Sequence, residues 1–181
     1  MKNKIIFNIS FSGIMVALGM ILPFLTGQIP EFGNMLCPMH IPVFICGLVC
    51  GWKYGLVVGF IIPLLRSSIF GMPPFYPTAI SMSIELATYG FISGLLIKIF
   101  KEKNIKIEIS VFIVLIISMI IGRINWGLVR YLLSIFDKSN VFNLEIFFVS
   151  AFVNAWPGII LHLVLVPILV ITLDKIKSIK H

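Results

Sequence analysis

Residues 108 to 133 read EISVFIVLIISMIIGRINWGLVRYLL, and this stretch decides the class of fold. From Ile109 to Gly122 it contains no ionisable side chain. About 20 consecutive apolar residues in a helix are enough to cross the hydrocarbon core of a bilayer. The stretch therefore predicts a transmembrane helix, and it places two arginines, Arg123 and Arg130, inside that helix.

The composition of the whole chain also indicates a membrane protein. Of its 181 residues, 59% are hydrophobic and only 12% are charged, and the mean hydropathy is +1.10. A soluble domain carries about a quarter charged residues, so this surface is predicted to face lipid. The net charge of +7 does not favour nucleic acid as a partner, because the cations form short clusters between apolar runs.

Six apolar helices are predicted in all. They lie near residues 5–25, 40–51, 54–70, 77–99, 108–133 and 148–173. The second is too short to span a bilayer alone, so we expect it to be extended by residues 34–40, tilted, or shielded by its neighbours. A proline-rich segment at 71–76 ends the third helix, because proline lacks the N–H that a helix needs.

The basic residues predict the orientation of the bundle. With six spans both termini lie on one side, and cytoplasmic segments are enriched in lysine and arginine. That side collects Lys2, Lys4, Lys53, Lys98, Lys101, Lys103, Lys106, Lys175, Lys177 and Lys180. The opposite connections, 26–39, 71–76 and 134–147, hold only Lys138. We therefore expect a multi-pass protein of the cell membrane with cytoplasmic termini.

Three arginines, Arg66, Arg123 and Arg130, lie inside predicted spans together with the acid Glu85. An ionised side chain at the centre of a membrane helix costs roughly 2.5 to 3.5 kcal/mol, so such groups are expected to face the bundle interior. The directions of the helices place them at similar depth in the outer half of the membrane. The predicted substrate-binding residues are His40, Arg66, Glu85, Arg123, Asn125, Trp126, Arg130, Asn154 and Trp156.

The predicted fold class is thus an all-α integral membrane protein, with a single domain over residues 1–181. It has six transmembrane helices in a compact bundle and an outward-facing ligand pocket. Three guanidinium groups against one carboxylate leave spare positive charge, which favours a ligand with a carboxylate or another anionic group. In the alternative interpretation Glu85 forms a structural ion pair with one arginine, while arginines near helix ends extend to the interface.

Small residues follow one another at four-residue spacing, beginning with Gly13 and Ala17 on the first helix. Such patches let helix backbones approach closely. The spacing fits packing within the chain, and the Gly13 and Ala17 patch also fits docking of another membrane subunit.

Several functional classes lack their motifs. The sequence has no G-x-x-x-x-G-K-[ST] loop for ATP hydrolysis, no H-E-x-x-H pair and no G-x-S-x-G elbow, so we expect no enzyme, metal site or cofactor. A structural or assembly subunit without a ligand remains an alternative; it predicts that Arg66, Glu85 and Arg130 pair with each other and leave no cavity. A stand-alone transporter or channel would need a continuous polar path, whereas the inner halves of the spans are apolar.

Several short motifs carry a resemblance that covers nearly the whole chain. They are Gly13-x-x-x-Ala17, PMHIPV at 38–43, CGWKYG at 50–55, PLLR at 63–66, FGMPP at 70–74 and ELATYG at 85–90. With these motifs and its six-helix plan, the chain resembles the substrate-binding S components of energy-coupling factor (ECF) vitamin transporters.

The resemblance implies a high-affinity substrate-binding subunit of an ECF-type ABC importer, which captures a vitamin or cofactor precursor at the outer face. It also implies partners: a transmembrane coupling protein, which the first-helix patch would contact, and two ATPase subunits. That patch is usually Ala-x-x-x-Ala in the family, whereas the first position here is Gly13. The start of the second helix, residues 39–42, is similar to a pantothenate-binding or uncharacterised subgroup, and other vitamins and precursors stay open.

Overall fold

The computed structural model describes residues 2–26, 35–137 and 142–179, and within these ranges the chain is helical and contains no strand. The helices are α1 Lys2–Ile21, α2 His40–Cys50, α3 Trp52–Phe70, α4 Ile80–Glu102, α5 Ile107–Phe136, α6 Leu144–Phe148 and α7 Trp156–Ile179. A 3₁₀ turn, Leu22–Thr26, continues α1, and π turns at Phe75–Ala79 and Val149–Val153 precede α4 and follow α6. The all-α prediction is confirmed for this part of the chain.

Five helical stretches are long and apolar enough to cross a membrane, judged by length and composition. They are Asn3–Leu25, Trp52–Phe70, Phe75–Glu102, Ile107–Phe136 and Trp156–Ile176. The chain is therefore a multi-pass membrane protein. A sixth crossing, the outward direction of the pocket and the cytoplasmic position of the termini stay predictions. Lys138 and most of the predicted connection 26–39 lie outside the described residues.

Helix α2 is short and lies at the centre of the bundle. Its 11 residues rise only about 16 Å, roughly half of a hydrocarbon core. Residues His40–Leu48 are all buried, and α2 packs against α1, α3, α4 and α7. Cys37, with a φ of +46°, interrupts any helical extension toward residue 34. The structure supports shielding of this helix by its neighbours, and its tilt relative to the bilayer stays a prediction.

Glycines allow α3 and α4 to pack closely against each other. A Cβ atom added to Gly55 would lie 2.5 Å from the carbonyl oxygen of Gly90, and one added to Gly59 would overlap the carbonyl of Leu86. At these positions the four-residue spacing of small residues serves packing within the chain. The close approach also fixes the position of α4, which carries Glu85.

The predicted helix 148–173 is divided in the structure. Helix α6 and the π turn that follows it end at Val153. The chain then turns at residues 154–155, and α7 begins at Trp156. The physical reason is Pro157, which has no N–H to donate to the carbonyl of Val153 and which fits the first turn of a new helix. The structure thus has two helical segments where the sequence predicts one helix.

Candidate functional site

A cavity of about 250 Å³ lies among α2, α4, α5 and the segment between α6 and α7. Its lining residues are Cys37, His40, Thr78, Met82, Glu85, Arg123, Trp126, Arg130, Ser150 and Asn154. Six predicted site residues are among them: His40, Glu85, Arg123, Trp126, Arg130 and Asn154. The structure thus brings together most of the polar groups that the sequence singles out inside the spans.

Glu85 and Arg123 form a buried ion pair in the cavity wall. Arg123 Nη1 lies 3.1 Å from Glu85 Oε1, and the two residues are 8% and 1% exposed. Tyr89 OH donates a hydrogen bond of 2.6 Å to the same carboxylate oxygen. Glu85 and Tyr89 are four residues apart on α4 and so lie on one helix face. The carboxylate is therefore engaged by both a cation and a hydroxyl group.

The ring of Tyr89 packs against α5 at Gly122. A Cβ atom at Gly122 would overlap the ring, so glycine leaves the space that the aromatic side chain fills. Phe44 stacks on Tyr89 with 4.8 Å between ring centroids. Tyr89 is not among the predicted site residues, although its spacing of four residues from Glu85 is a signal that could have identified it.

Arg130 differs from Arg123 because no acidic side chain in the described part of the chain lies within ion-pair distance of it. Its Nε atom is buried and has no hydrogen-bond partner among those residues. The guanidinium lies over the Phe142 ring, 5.7 Å from the centroid. A cation–π contact supplies some stabilisation but no hydrogen-bond acceptor.

His40 is the second polar residue at the cavity with an unsatisfied atom. It is 2% exposed, and its Nε2 has no hydrogen-bond partner among the described residues. The ring packs edge-on against Tyr89, at 5.3 Å, and lies 5.4 Å from the His162 ring. His162 Nε2 is in turn 3.2 Å from the carbonyl oxygen of Cys37. His162 therefore has a structural role beneath the cavity, whereas His40 Nε2 is left without a partner.

Cys37 is a cavity residue that the sequence analysis did not select. Its Sγ lies 4.0 Å from Arg123 Nη2. Burial raises the pKa of this thiol above its usual value, so Cys37 contributes a neutral, weakly polar group to the lining. Thr78, Met82 and Ser150 were also missed, because short polar and thioether side chains give no sequence signal that distinguishes a cavity wall from ordinary packing.

Three predicted site residues do not line this cavity. Arg66 donates instead to the carbonyl oxygen of Met20, and its guanidinium lies over two rings, 4.9 Å from the centroid of Phe24 and 5.4 Å from that of Phe70. It therefore fastens the end of α1 to the end of α3.

The other two residues are Asn125 and Trp156. Asn125 follows Arg123 by two positions, about 200° around the helix, and it donates a hydrogen bond of 3.0 Å to Thr88 Oγ1. Trp156, beside Pro157 at the start of α7, is 58% exposed.

The Gly13 and Ala17 patch lies on an exposed face of α1. A Cβ atom added to Gly13 would meet nothing within 4 Å. Unlike the glycines between α3 and α4, these two small residues do not serve packing within the described part of the chain.

The fold and the cavity define a class of protein: a multi-pass helical membrane protein with a buried polar site between its helices. The particular family follows from a comparison of the sequence with family models. The model described as "ECF transporter, substrate-specific component" matches residues 8–170. The match covers most of the chain, which therefore belongs to this family of S components. Among curated proteins and among solved structures, none matches the chain.

Proposed function

We propose that the chain is the high-affinity substrate-binding subunit of an ECF-type importer, and that its cavity holds a vitamin or cofactor precursor that bears a carboxylate. Membership of the family supports a substrate-binding role in transport. The observation that carries the chemical class of the ligand is Arg130, which lines the cavity with a buried Nε that has no partner among the described residues.

A carboxylate on the ligand would supply the hydrogen-bond acceptor that Arg130 Nε lacks among the described residues. Leaving a buried donor without an acceptor costs about 1–3 kcal/mol, and more when the group is charged. The planar guanidinium presents its N–H groups as a fork that matches the two oxygens of a carboxylate. An anionic ligand would therefore supply both the acceptor and the countercharge.

Pantothenate is the specific candidate that we propose. It combines a carboxylate with an amide and two hydroxyl groups, and such groups fit a cavity lined by Arg130, His40, Ser150 and Asn154. Its chain is small and flexible, in keeping with a cavity of about 250 Å³. Other small carboxylate-bearing precursors share this chemistry.

Uptake requires partners under this proposal, because the sequence lacks a G-x-x-x-x-G-K-[ST] loop for ATP hydrolysis. We propose that a transmembrane coupling protein and two ATPase subunits supply the driving force. The exposed Gly13 and Ala17 patch on α1 would let a helix of the coupling protein approach closely. The cavity would open toward the cell exterior, with the termini in the cytoplasm.

The alternative of an assembly subunit without a ligand has less support. That reading predicted pairing among Arg66, Glu85 and Arg130 and the absence of a cavity. Instead, Glu85 pairs with Arg123, Arg66 caps α1, and a cavity adjoins Arg130.

The proposal is tested by isolating the chain from cells in mild detergent and identifying bound small molecules by mass spectrometry. We expect a small carboxylic acid, near one per chain, in the wild type and its loss in Arg130→Gln. Lys98→Gln is the control, since it removes a positive charge at an exposed position outside the cavity. If the wild type carries no organic molecule, or if Arg130→Gln retains it fully, the proposal fails.

A further inference from the structure

We infer that the ligand is a small monoanion that also carries a neutral hydrogen-bonding group, a hydroxyl, amide or carbonyl, which contacts His40. The inference rests on the proposed function and narrows the substrate class of the same cavity.

The single charge follows from the pairing of the arginines. Arg66 lies away from the cavity, against Met20 and two aromatic rings. Arg123 is neutralised by Glu85 at 3.1 Å. Arg130 is then the one cation at the cavity without an acidic partner among the described residues. A second negative charge on the ligand would be buried unpaired and close to Glu85, and an unpaired buried charge is strongly unfavourable.

The neutral group follows from His40. This side chain is 2% exposed, and Glu85, the only acid among the described residues that line the cavity, is already engaged by Arg123 and Tyr89. A cationic imidazole would have no countercharge there, so His40 is expected to be neutral. A neutral imidazole nitrogen is either one donor or one acceptor, and an uncharged polar group of the ligand is the partner that matches it.

The size of the cavity limits the rest of the ligand. About 250 Å³ falls below the range of roughly 300–1,000 Å³ that is usual for drug-sized ligands. Met82 and Trp126 supply an apolar part of the wall. The volume therefore favours an acyclic or single-ring compound with a short apolar section between its two polar ends.

The first test is the structure of the molecule that co-purifies with the wild-type chain, determined by mass spectrometry and nuclear magnetic resonance. We expect one group that is ionised at pH 7 and at least one hydroxyl, amide or carbonyl group apart from it. A molecule with two or more negative charges, or a monoanion without a separate hydroxyl, amide or carbonyl group, would overturn this inference and leave the proposed function standing. A neutral molecule would overturn both this inference and the proposed carboxylate. If no molecule is recovered, the proposed function itself fails and the inference fails with it.

The second test uses two variants of His40. In His40→Phe the ring remains and the nitrogen is lost, so retention of the molecule that co-purifies with the wild type is expected to fall about tenfold or more. In His40→Gln an amide can replace the nitrogen, and part of the retention is expected to return. Equal retention by His40→Phe and the wild type would contradict a contact with His40. Should His40→Phe fail to fold, an experimental structure of the wild-type chain with its co-purified molecule decides whether His40 Nε2 contacts a neutral group of that molecule.

Discussion

Arg123 Nη1 lies 3.1 Å from Glu85 Oε1, and this ion pair joins α5 to α4 inside the bundle. Glu85 thus engages Arg123, one of the two arginines that line the cavity, and the other is Arg130. For this reason we assign a structural role to Glu85 and Arg123 and propose Arg130 as the ligand-binding arginine.

Breaking the ion pair from one side is expected to destabilise the protein. Glu85→Gln keeps an oxygen that can accept from Tyr89 but leaves Arg123 buried without a countercharge, at a cost of about 3–5 kcal/mol. Thermal unfolding in detergent measures the loss. The double variant Glu85→Leu with Arg123→Met is expected to be more stable than Glu85→Gln, because no charge is then buried unpaired. A double variant less stable than the single one would contradict this account of the pair.

Tyr89→Phe tests the hydrogen bond to the carboxylate separately. The ring and its stacking on Phe44 are retained, while a hydrogen bond of 2.6 Å to a charged acceptor is removed. We expect the free energy of unfolding to fall by about 1.5–3 kcal/mol, and thermal unfolding in detergent measures this loss. Tyr131→Phe is the control, since this tyrosine is 54% exposed. Equal stability of Tyr89→Phe and the control would mean that the hydroxyl contributes nothing.

The small residues are expected to divide into a packing set and a docking set. Gly59→Ala adds a Cβ that would overlap the Leu86 carbonyl, so it is expected to lower thermal stability by about 1–3 kcal/mol. Gly13→Ala makes the same chemical change inside a helix where nothing lies within 4 Å, so its stability is expected to equal or exceed that of the wild type, because alanine is favoured over glycine in a helix. Equal losses in both variants would show that α1 packs against something in the isolated chain.

The docking set is tested with larger side chains. Gly13→Leu and Ala17→Leu are expected to abolish uptake into cells while the purified chain retains its co-purified molecule, because the bulk meets only the exposed face of α1. Gly13→Ser, which keeps the residue small, is the control for uptake. A loss of bound molecule as large as the loss of uptake would exclude a docking role.

Arg66→Gln is expected to separate stability from ligand binding. The guanidinium donates to Met20 and lies over Phe24 and Phe70, so its loss should lower thermal stability. Because Arg66 does not line the cavity, the bound molecule per folded chain should stay at the wild-type level. Arg130→Gln, the same substitution at the cavity, is expected to show the opposite pattern. A variant of Arg66 that folds normally but carries no ligand would return this residue to the binding site.

The sequence predicts the helices well because apolar length is a local property. It also predicts that Glu85, Arg123 and Arg130 lie near one another, since charged side chains avoid lipid. Helix geometry alone could have placed Asn125 on a different face from Arg123, because two positions rotate by about 200°. The break before α7 was predictable for the same reason, because Pro157 is a local signal that interrupts one helix and favours the first turn of another.

Other features depend on tertiary contacts that a single sequence does not display. Arg66 lies against the end of α1 because α1 packs beside α3, and its spacing in the chain does not distinguish that position from the cavity. The central, buried position of α2 depends likewise on four neighbouring helices. His40 has an unsatisfied nitrogen only because of how these helices meet.

An experimental structure of the chain with its co-purified molecule tests the central claim most directly. The measurement is the distance from the anionic group of that molecule to the Arg130 guanidinium, together with the partner of His40 Nε2. We predict a carboxylate oxygen within about 3.2 Å of an Arg130 nitrogen, with Arg123 still on Glu85. A molecule bound elsewhere, or a cavity that contains only water while the molecule is present, would contradict the account.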